Sequence, residues 1–400
     1  MGETFDRRYS EPWILHGSLP SPEELTTVIS SEIPGAVHTL MTSGEPGDDS
    51  LHQFVLHPEG HELQLEELAT EFCRSIRRGV PFGLGTFRGT LPTEVVSTRT
   101  VSEPHRITLF CADEEGVDRF VFTLYRRVWP GIPNEVEVLS TLTDSHSPGL
   151  TGHLELELDG LVYVLGTARR VPTGINAFEY AKMGVAAQVF SHSQGLTLGQ
   201  TLRFIHDSLI MSFPYEWVPA AEVARGLERR LDGFLERAPV LAEHAPWVRD
   251  WYRNLRGEIF CQRLHGNMSF QRIWLEDDES WFIGGWEGDL RLPLEERIVF
   301  GSPLSDFAML QRSLFWACED NKPWCLKTMS AVFEGYGEPM MTRLFCAYVL
   351  DRACEELADH SGTPDGQPEI PLKFFTWFRD VLLPTRDTMQ PSQFHREVTA

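Results

Sequence analysis

The sequence predicts an α+β protein with two lobes, and two observations carry this prediction. Residues 1–175 are rich in short runs of strand-forming residues, whereas beyond residue 175 apolar residues recur mainly at helical spacing. Residues 258–287, which have the pattern of strand, polar loop, strand, turn and strand, interrupt the helical half. A strand-rich half followed by a helical half is typical of a two-lobed plan.

Local patterns predict the individual elements. Strands are expected at residues 37–42, 51–57, 107–112 and 120–125 and near 154–158 and 161–165. Helices are expected at residues 63–78, from about 134, at 176–192, 197–211, 220–237 and 245–256, and along a longer stretch, 303–359. Trp247, Trp251 and Tyr252 stand at helical spacing, which favours packing of a helix over the alternative of a sugar-stacking platform.

The charge and cysteine content exclude several classes of protein. The 400 residues include 58 acidic and 35 basic side chains, a net charge of -23, which repels nucleic acid and anionic membranes. The seven cysteines are odd in number and scattered, so reduced thiols are expected rather than a zinc site or disulfides. No apolar run approaches the ~20 residues of a membrane span, and the N-terminus lacks the pattern of a secretory signal. We therefore expect a cytoplasmic protein that binds neither nucleic acid nor membrane.

Three motifs occur in order in the second half. They are His265-Gly-Asn-Met-Ser-Phe-Gln-Arg272, Trp281-Phe-Ile-Gly-Gly-Trp-Glu-Gly-Asp-Leu290 and Ser302-Pro-Leu-Ser-Asp-Phe-Ala-Met-Leu-Gln-Arg-Ser313. Together they resemble the catalytic core of the aminoglycoside-phosphotransferase-like kinases, specifically the bacterial maltokinases, whose motifs read approximately HGDLHLGQ, IDFEGEP and SPLRDVAGMLRS. Residues 122–137 are similar to that family's LKLFRRLEPGxNPDVE, and residues 350–356 and 370–372 to its C-terminal LEKALYE and IPL.

The resemblance covers nearly the whole chain and implies a protein-kinase-like fold. It implies an N-terminal cap subdomain at residues 1–90, an N-lobe of sheet plus one helix at 91–175, and a mainly helical C-lobe at 176–400. It also implies ATP and Mg²⁺ as the cofactors of an active member.

The residues that phosphoryl transfer requires are altered in the second half. Asn267 stands at the family's catalytic aspartate, and a neutral amide cannot serve as a base near neutral pH. Gly285 stands at the magnesium-binding aspartate. Arg272, or Gln271 if the alignment slips by one residue, stands at the amide ligand, so no metal is expected. The resemblance gives His265 and Asp306 a supporting role in the catalytic loop.

The first half is altered as well. Thr123 stands where the family has the strand lysine that meets the nucleotide phosphates, while Glu137, the usual partner of that lysine on the following helix, remains. Arg169 aligns with a glutamate near the adenine. Glu287 is expected to pair with a basic group, and Arg272 is the candidate.

On the sugar side, Arg352 replaces a family lysine and Glu355 replaces a tyrosine. This leaves the binding of maltose open.

These substitutions favour a catalytically deficient maltokinase-like pseudokinase. The resemblance places it as a binding or regulatory partner in trehalose–maltose–glycogen metabolism, with trehalose synthase as a candidate partner. Two alternatives remain open. One is an active ATP-dependent sugar or aminosugar kinase whose metal is held by Glu287 and Asp289. The other is a stand-alone protein that senses carbohydrate or nucleotide.

Overall fold

The computed structural model of the chain describes residues 22–382, apart from 79, 81, 91–96, 104, 143–145, 188–191, 291, 319–320, 339–341 and 362–365. None of the described helices is both long enough and apolar enough to cross a bilayer. The described residues form two compact units. We call residues 22–172 with 286–298 the strand-rich unit, and residues 173–285 with those from 299 onward the helical unit.

The strand-rich unit contains two antiparallel sheets. Strands β1 (Thr26–Ile33), β2 (Ala36–Thr42), β3 (Leu51–Leu56) and β8 (Arg127–Val128) form a sheet in the order β1-β2-β3-β8. The second sheet contains β4 (Thr86–Gly89), β5 (Ser97–Glu103), β6 (Arg106–Ala112), β7 (Asp118–Tyr125), β9 (Leu150–Leu158) and β10 (Leu161–Arg170), in the order β4-β9-β10-β7-β6-β5. Helix α1 (Leu65–Arg77) and the short helix α2 (Asn134–Leu139) complete the unit.

The core of this unit lies against the central strand β7, whose residues 120–125 are all buried. The ring of Phe72 on α1 lies 4.8 Å from the ring of Phe122, so the helix covers one face of the six-stranded sheet. Because β7 sits inside a sheet with both faces covered, its sequence is a continuous apolar run rather than an alternating one. The strands and helices expected in this half are present, with ends shifted by a few residues.

A buried polar network joins the two sheets of the strand-rich unit. The side-chain amide of Gln53 on β3 donates hydrogen bonds to the backbone oxygens of Tyr125 and Leu165, the second at 2.9 Å. His38 donates through Nε2 to Gln53 Oε1 (2.8 Å) and accepts at Nδ1 from the backbone amide of Leu84 (2.7 Å). Because one ring nitrogen of His38 donates and the other accepts, its imidazole is neutral.

Gly83 is required by this network. It has φ +77°, and a Cβ added to it would lie 1.7 Å from His38 Nδ1. Only glycine combines this left-handed backbone with so close an approach.

The helical unit begins with β11 (Ile175–Asn176), α3 (Ala177–Ala187) and α4 (His192–Ser212), followed by β12 (Tyr215–Pro219), α5 (Ala220–Arg237) and α6 (Ala245–Arg253). Next come β13 (Glu258–Arg263), β14 (Ile273–Leu275), β15 (Trp281–Ile283) and β16 (Phe300–Gly301). The last helices are α7 (Leu304–Ala317), α8 (Lys322–Tyr336), α9 (Arg343–His360) and α10 (Glu369–Trp377). The strands form two small sheets, β11-β14-β15 and β12-β13-β16.

The aromatic residues of α6 pack the interior of the helical unit. Trp251 and Tyr252 are buried, and the ring of Trp247 stacks on Phe378 at 6.0 Å and meets Phe375 at 6.1 Å. They therefore take the packing role that the sequence favours over a sugar-stacking platform. The stretch expected to be helical at 303–359 is divided into α7, α8 and α9. The three-part domain division, whose cap includes residues 1–21 outside the described chain, stays a prediction.

We expect the buried His38 to make the protein less stable below pH 6.5. Burial lowers its pKa from 6.5 to about 4, despite the opposing effect of the hydrogen bond that His38 donates to Gln53. The unfolded chain therefore binds more protons at low pH, and the contribution of His38 is complete above pH 6.5 and is lost as the pH falls towards 4. Between pH 7.5 and pH 5 this loss is about 2 kcal/mol.

Urea unfolding of the wild type and of His38→Gln at both pH values measures this effect. The variant lacks the titrating ring, so its stability deficit relative to the wild type should shrink by about that amount at pH 5. An equal deficit at both pH values would contradict the assignment.

Candidate functional site

The loop that follows β13 is held by one buried carboxylate. Asp306, in the first turn of α7, accepts hydrogen bonds from the backbone amides of His265 (3.0 Å) and Gly266 (2.9 Å). Its Oδ2 also lies 3.3 Å from Nε2 of His206 on α4. Burial by itself would raise the pKa of Asp306, but the contacts with His206, His265 and Gly266 outweigh it and lower the pKa. Asp306 is therefore a charged anchor for the loop.

The ring of His265 connects this loop to the end of β15. Its Nδ1 accepts from the backbone amide of Asn267 (3.1 Å), so its Nε2 carries the proton and donates to the carbonyl of Gly284 (2.8 Å). His265 and Asp306 thus hold the backbone at both ends of the His265-Gly-Asn turn. The side chain at the catalytic aspartate position is the half-buried amide of Asn267, which has no basic oxygen to offer a substrate hydroxyl.

The space beside Gly285 is filled by Arg272. Gly285 has φ +83°, and a Cβ added to it would lie 2.7 Å from Cδ, 3.0 Å from Cγ and 3.2 Å from Nε of Arg272. A side chain at position 285 therefore meets the arginine stem. The backbone amide of Gly284 donates to the carbonyl of Arg272 (2.8 Å), which fixes the two segments side by side.

These residues do not fit Mg²⁺. Magnesium requires hard oxygen ligands in near-octahedral geometry, whereas position 285 offers none and a guanidinium occupies the adjacent space. The other candidate ligand, Gln271, is half-buried, and its backbone oxygen accepts from the side chain of Asn176 (2.9 Å). One neutral amide does not supply the carboxylate that the resemblance gives to position 285.

In the strand-rich unit, Thr123 lies on β7 opposite Thr167 of β10. Thr123 is 2% exposed, and its hydroxyl has no hydrogen-bond partner among the described residues. The hydroxyl of its cross-strand neighbour Thr167 donates to Glu135 Oε2 at 2.9 Å. Because directly opposed residues of an antiparallel pair share one face of the sheet, the carboxylate of Glu135 lies beside the position that the resemblance gives to a lysine.

Helix α2 presents Glu135, not Glu137, to this face of the sheet. Glu135 is 2% exposed and forms an ion pair with Arg169 (2.8 Å), while the hydroxyl of Tyr125 donates to it at 2.6 Å. Burial and the neighbouring Glu135 raise the pKa of Tyr125 well above its ordinary value. Residues two apart on a helix point about 200° apart, so Glu137 cannot share the orientation of Glu135. The expectation that Glu137 faces the lysine position stays a prediction.

Glu287 is paired with a residue that sequence reasoning did not single out. Its carboxylate forms an ion pair with Arg106 at the start of β6, and Arg106 also pairs with Glu103 on β5. Burial opposes the charge of Arg106, but Glu287 and Glu103 raise its pKa above the ordinary value. The structure thus gives Glu287 a basic partner, Arg106, and the expected pairing with Arg272 stays a prediction.

The two candidate sugar-side residues contact each other on α9. Arg352 forms an ion pair with Glu355, which also pairs with Arg230 of α5 at 3.1 Å. Arg230 reaches the buried Asp351 as well (3.0 Å). Burial raises the pKa of Asp351 to about 6, although Arg230 opposes the shift. These charges are engaged with one another, and a role in binding a sugar stays a prediction.

The sequence did contain a signal for Glu135. It lies three and four residues before Val138 and Leu139, which are buried, so all three share the apolar face of α2. Nothing comparable marks the contact of Arg106 with Glu287 or that of His206 with Asp306, because these partners are distant in the chain.

One further group of metal-binding residue types lies in the turn after β3. The ligand atoms of His57, Glu59 and His61 lie within 4.8 Å of one another. The two imidazole rings stack at 4.7 Å with planes 19° apart. Ring nitrogens donate in the plane of the ring, so nearly parallel stacked rings do not converge on one ion. We assign no metal to this turn.

Solved structures show which fold this is. The chain is similar to a glucosamine kinase (crystal form B), with a TM-score of 0.65, 16% identity and coverage of 95% of this chain and 98% of that one. A glucosamine kinase in complex with glucosamine, ADP and inorganic phosphate matches with a TM-score of 0.65, 15% identity and coverage of 96% and 100%. An aminoglycoside phosphotransferase from Streptomyces rimosus matches less well, with a TM-score of 0.36, 15% identity and coverage of 64% and 92%. No protein-family model matches the chain.

At such low identity the likeness establishes the fold alone. The chain has the α+β, two-lobed fold of the kinase-like phosphotransferases, as the sequence predicts. Maltokinase specificity and the roles of individual residues go beyond that finding.

Replacing Glu135 should destabilise the protein far more than replacing Glu137. Glu135→Gln removes the charge that compensates Arg169, which is largely buried, so we expect a loss of about 3 kcal/mol. Glu137→Gln is the matched control on the same helix. Glu137 is half-exposed, and water can solvate that region, so we expect a loss below about 1 kcal/mol. Urea unfolding measures both losses of stability. Equal losses would contradict the assignment of Glu135 as the residue that makes the buried ion pair with Arg169.

Proposed function

We propose that the protein is a catalytically deficient, maltokinase-like pseudokinase that acts as a binding or regulatory partner of another enzyme. The observation that carries this proposal is the filling of the space beside Gly285 by Arg272. A kinase needs a divalent cation between the β- and γ-phosphates to neutralise developing charge, and this loop has exchanged the metal-binding carboxylate for a cationic side chain.

Two further substitutions support the same conclusion. Asn267 cannot accept the proton of a substrate hydroxyl. Thr123 supplies no ammonium for the phosphates, and the carboxylate beside it, Glu135, is already neutralised by Arg169. Single losses at such positions cost a factor of roughly 10² or more in rate. The three changes affect proton transfer, metal binding and phosphate contact separately, so one neighbouring residue cannot compensate for all of them.

The resemblance to maltokinases supplies the proposed setting. Maltokinases act beside trehalose synthase in trehalose–maltose–glycogen metabolism, and a chain that keeps the fold but not the chemistry suits a partner subunit of that assembly. The surviving support of the loop by His265 and Asp306 fits this role, because a binding protein needs an ordered fold as much as an enzyme does.

The second candidate is an active aminosugar or sugar kinase. It is favoured by the similarity over nearly the full length to a glucosamine kinase whose complex contains glucosamine, ADP and inorganic phosphate. Such a kinase would have to hold its metal with residues other than the one at position 285, and Glu287 and Asp289 are the candidates. The carboxylate of Glu287 is held by Arg106, which weakens this alternative.

The purified protein should not transfer phosphate at a kinase rate. With ATP and Mg²⁺ present, we expect turnover on maltose or glucosamine at least about 10³-fold below the ~1–100 s⁻¹ of typical kinases. A coupled ADP-release assay measures it. In parallel, size-exclusion chromatography with purified trehalose synthase tests the partnership. Turnover in the normal range would refute the pseudokinase, and sugar-dependent stabilisation without any complex would favour a stand-alone sensor.

Restoring activity should require four substitutions rather than three. Thr123→Lys, Asn267→Asp and Gly285→Asp return the groups that transfer needs, but the carboxylate introduced by the third change would collide with the stem of Arg272. Adding Arg272→Asn removes Cδ and Nε from this space and supplies an amide. We expect ADP release above background only from the fourfold variant. Equal activity of the threefold variant would show that Arg272 does not block the position.

A further inference from the structure

We propose that strand β12 and the cavity at its end form a docking site for an extended, acidic segment of a partner protein. The proposal rests on the proposed function, because it names the kind of partner that such a binding protein would take. All residues of the docking site belong to the helical unit and lie outside the three sequence motifs. Three features carry the proposal: an exposed sheet edge, an aromatic surface on that edge and an excess of positive charge at its end.

Strand β12 (Tyr215–Pro219) lies at one edge of its sheet. The strand order is β12-β13-β16, so one side of β12 pairs with β13 and the other side has no strand beside it among the described residues. Each of its five residues is exposed or half-exposed. An exposed edge offers unpaired N–H and C=O groups to an extended chain, and peptides commonly bind by adding a strand to such an edge. The edge therefore favours an extended segment as the occupant.

Two aromatic side chains stand exposed on one face of this edge strand. Tyr215 and Trp217 are two residues apart, so they project from the same face, and they are 56% and 60% exposed. Both rings pack against Phe260 of β13, with ring centres 5.6 Å and 5.4 Å away. Tyrosine and tryptophan are enriched in protein interfaces and often contribute most of the binding energy. The side chains of an added strand would lie beside these two rings and cover them.

An open cavity of about 410 Å³ lies where β12 ends. Pro219 is the last residue of β12 and also lines the cavity, so a segment that pairs along the strand reaches the cavity with its next residues. The charged side chains of the lining are those of Arg225, Glu228, Arg253 and Arg256. Glu228 pairs with Arg253 at 2.5 Å. The lining therefore keeps an excess of two positive charges in a chain whose net charge is -23.

The positive charge that remains suits a carboxylate. Arg256 donates hydrogen bonds at 2.5, 2.8 and 3.1 Å to oxygens of residues 253–255, and these oxygens are uncharged, so they do not neutralise its guanidinium. Arg225 is exposed in the second turn of α5. Arginine binds carboxylates through its planar fork of donors. Helix α5 begins at Ala220 in the cavity wall, and its N-terminal end adds partial positive charge.

Charge also disfavours two other occupants of this surface. Two copies of this chain, each with a net charge of -23, repel one another at close range. A neutral glycan could stack on the aromatic rings, but it would leave the arginines of the cavity without a counter-charge. A short acidic segment on a partner of low net charge matches the edge, the rings and the arginines together.

Fluorescence anisotropy of labelled synthetic peptides tests the proposal on the full-length chain. The probe is a short run of alternating threonine and valine followed by three glutamates, and it is also used in the reversed order because a strand can add in either direction. We expect at least one order to bind saturably. Peptides with lysine in place of glutamate, or with proline throughout the run, should bind at least about tenfold more weakly, because they lack the charge or the main-chain N–H groups.

Substitutions locate the binding site on the chain. Arg225→Glu should weaken binding of the glutamate peptide at least about tenfold, because it removes the excess positive charge of the cavity. Arg229→Glu makes the same change at another exposed position of α5, which does not line the cavity, and at physiological salt it should change affinity by less than about twofold. Trp217→Ala should also weaken binding at least about tenfold. Melting curves check that each variant folds.

Hydrogen–deuterium exchange of residues 213–219 gives an independent test of position. Bound peptide should slow exchange in this segment, because the added strand takes up the outward-facing N–H groups of β12. Binding without this protection would place the peptide elsewhere and would overturn the proposal.

Other results would also overturn the docking site. They are absence of binding by either order of the peptide, and binding that Arg225→Glu or Trp217→Ala leaves unchanged. Protection of residues 213–219 by maltoheptaose without peptide binding would overturn it in favour of a glycan. A concentration-dependent dimer that Trp217→Ala abolishes would overturn it in favour of a second copy. All of these results leave the pseudokinase intact, whereas phosphoryl transfer at a normal rate would defeat the proposed function itself.

Discussion

The contact between the stem of Arg272 and the bare backbone of Gly285 is the constraint on which the local arrangement of these loops depends. A side chain at position 285 would have to displace Cδ and Cγ of Arg272, and glycine avoids that displacement. The residues at positions 272 and 285 are therefore sterically coupled, so a change at one position alters the space available at the other.

Buried carboxylates in the strand-rich unit are compensated by arginines of its own strands. Glu135 contacts Arg169, Thr167 and Tyr125, all from the six-stranded sheet. Glu287 pairs with Arg106. An unpaired buried carboxylate is costly, so these arginines stabilise the unit without any bound ion.

The framework that supports the loop after β13 consists of contacts to backbone. Asp306 anchors the turn through two contacts, with the amides of His265 and Gly266, and lies beside His206 of α4. His265 ties that turn to the end of β15. These bonds hold backbone, and their value does not depend on a substrate.

The sequence by itself determined the fold class and most of the elements, because they depend on local periodicity. The apolar run of β7, the helical spacing of α6 and the order of three motifs are all visible along the chain. The differences from the family's motifs at Thr123, Asn267 and Gly285 also depend only on residue type at a position. Sequence reasoning did not single out Glu135, or Arg106 as a partner of Glu287.

Only the tertiary structure decided those partners. Glu135 of α2 meets Arg169 of the six-stranded sheet, and Arg106 of β6 meets Glu287. Both outcomes depend on strands that are far apart in the chain and on side-chain direction within a few degrees of helix rotation. The energy of an ion pair in a buried site falls steeply with distance. A shift of one or two residues in which side chain faces the sheet therefore replaces one partner by another, although composition and motifs stay the same.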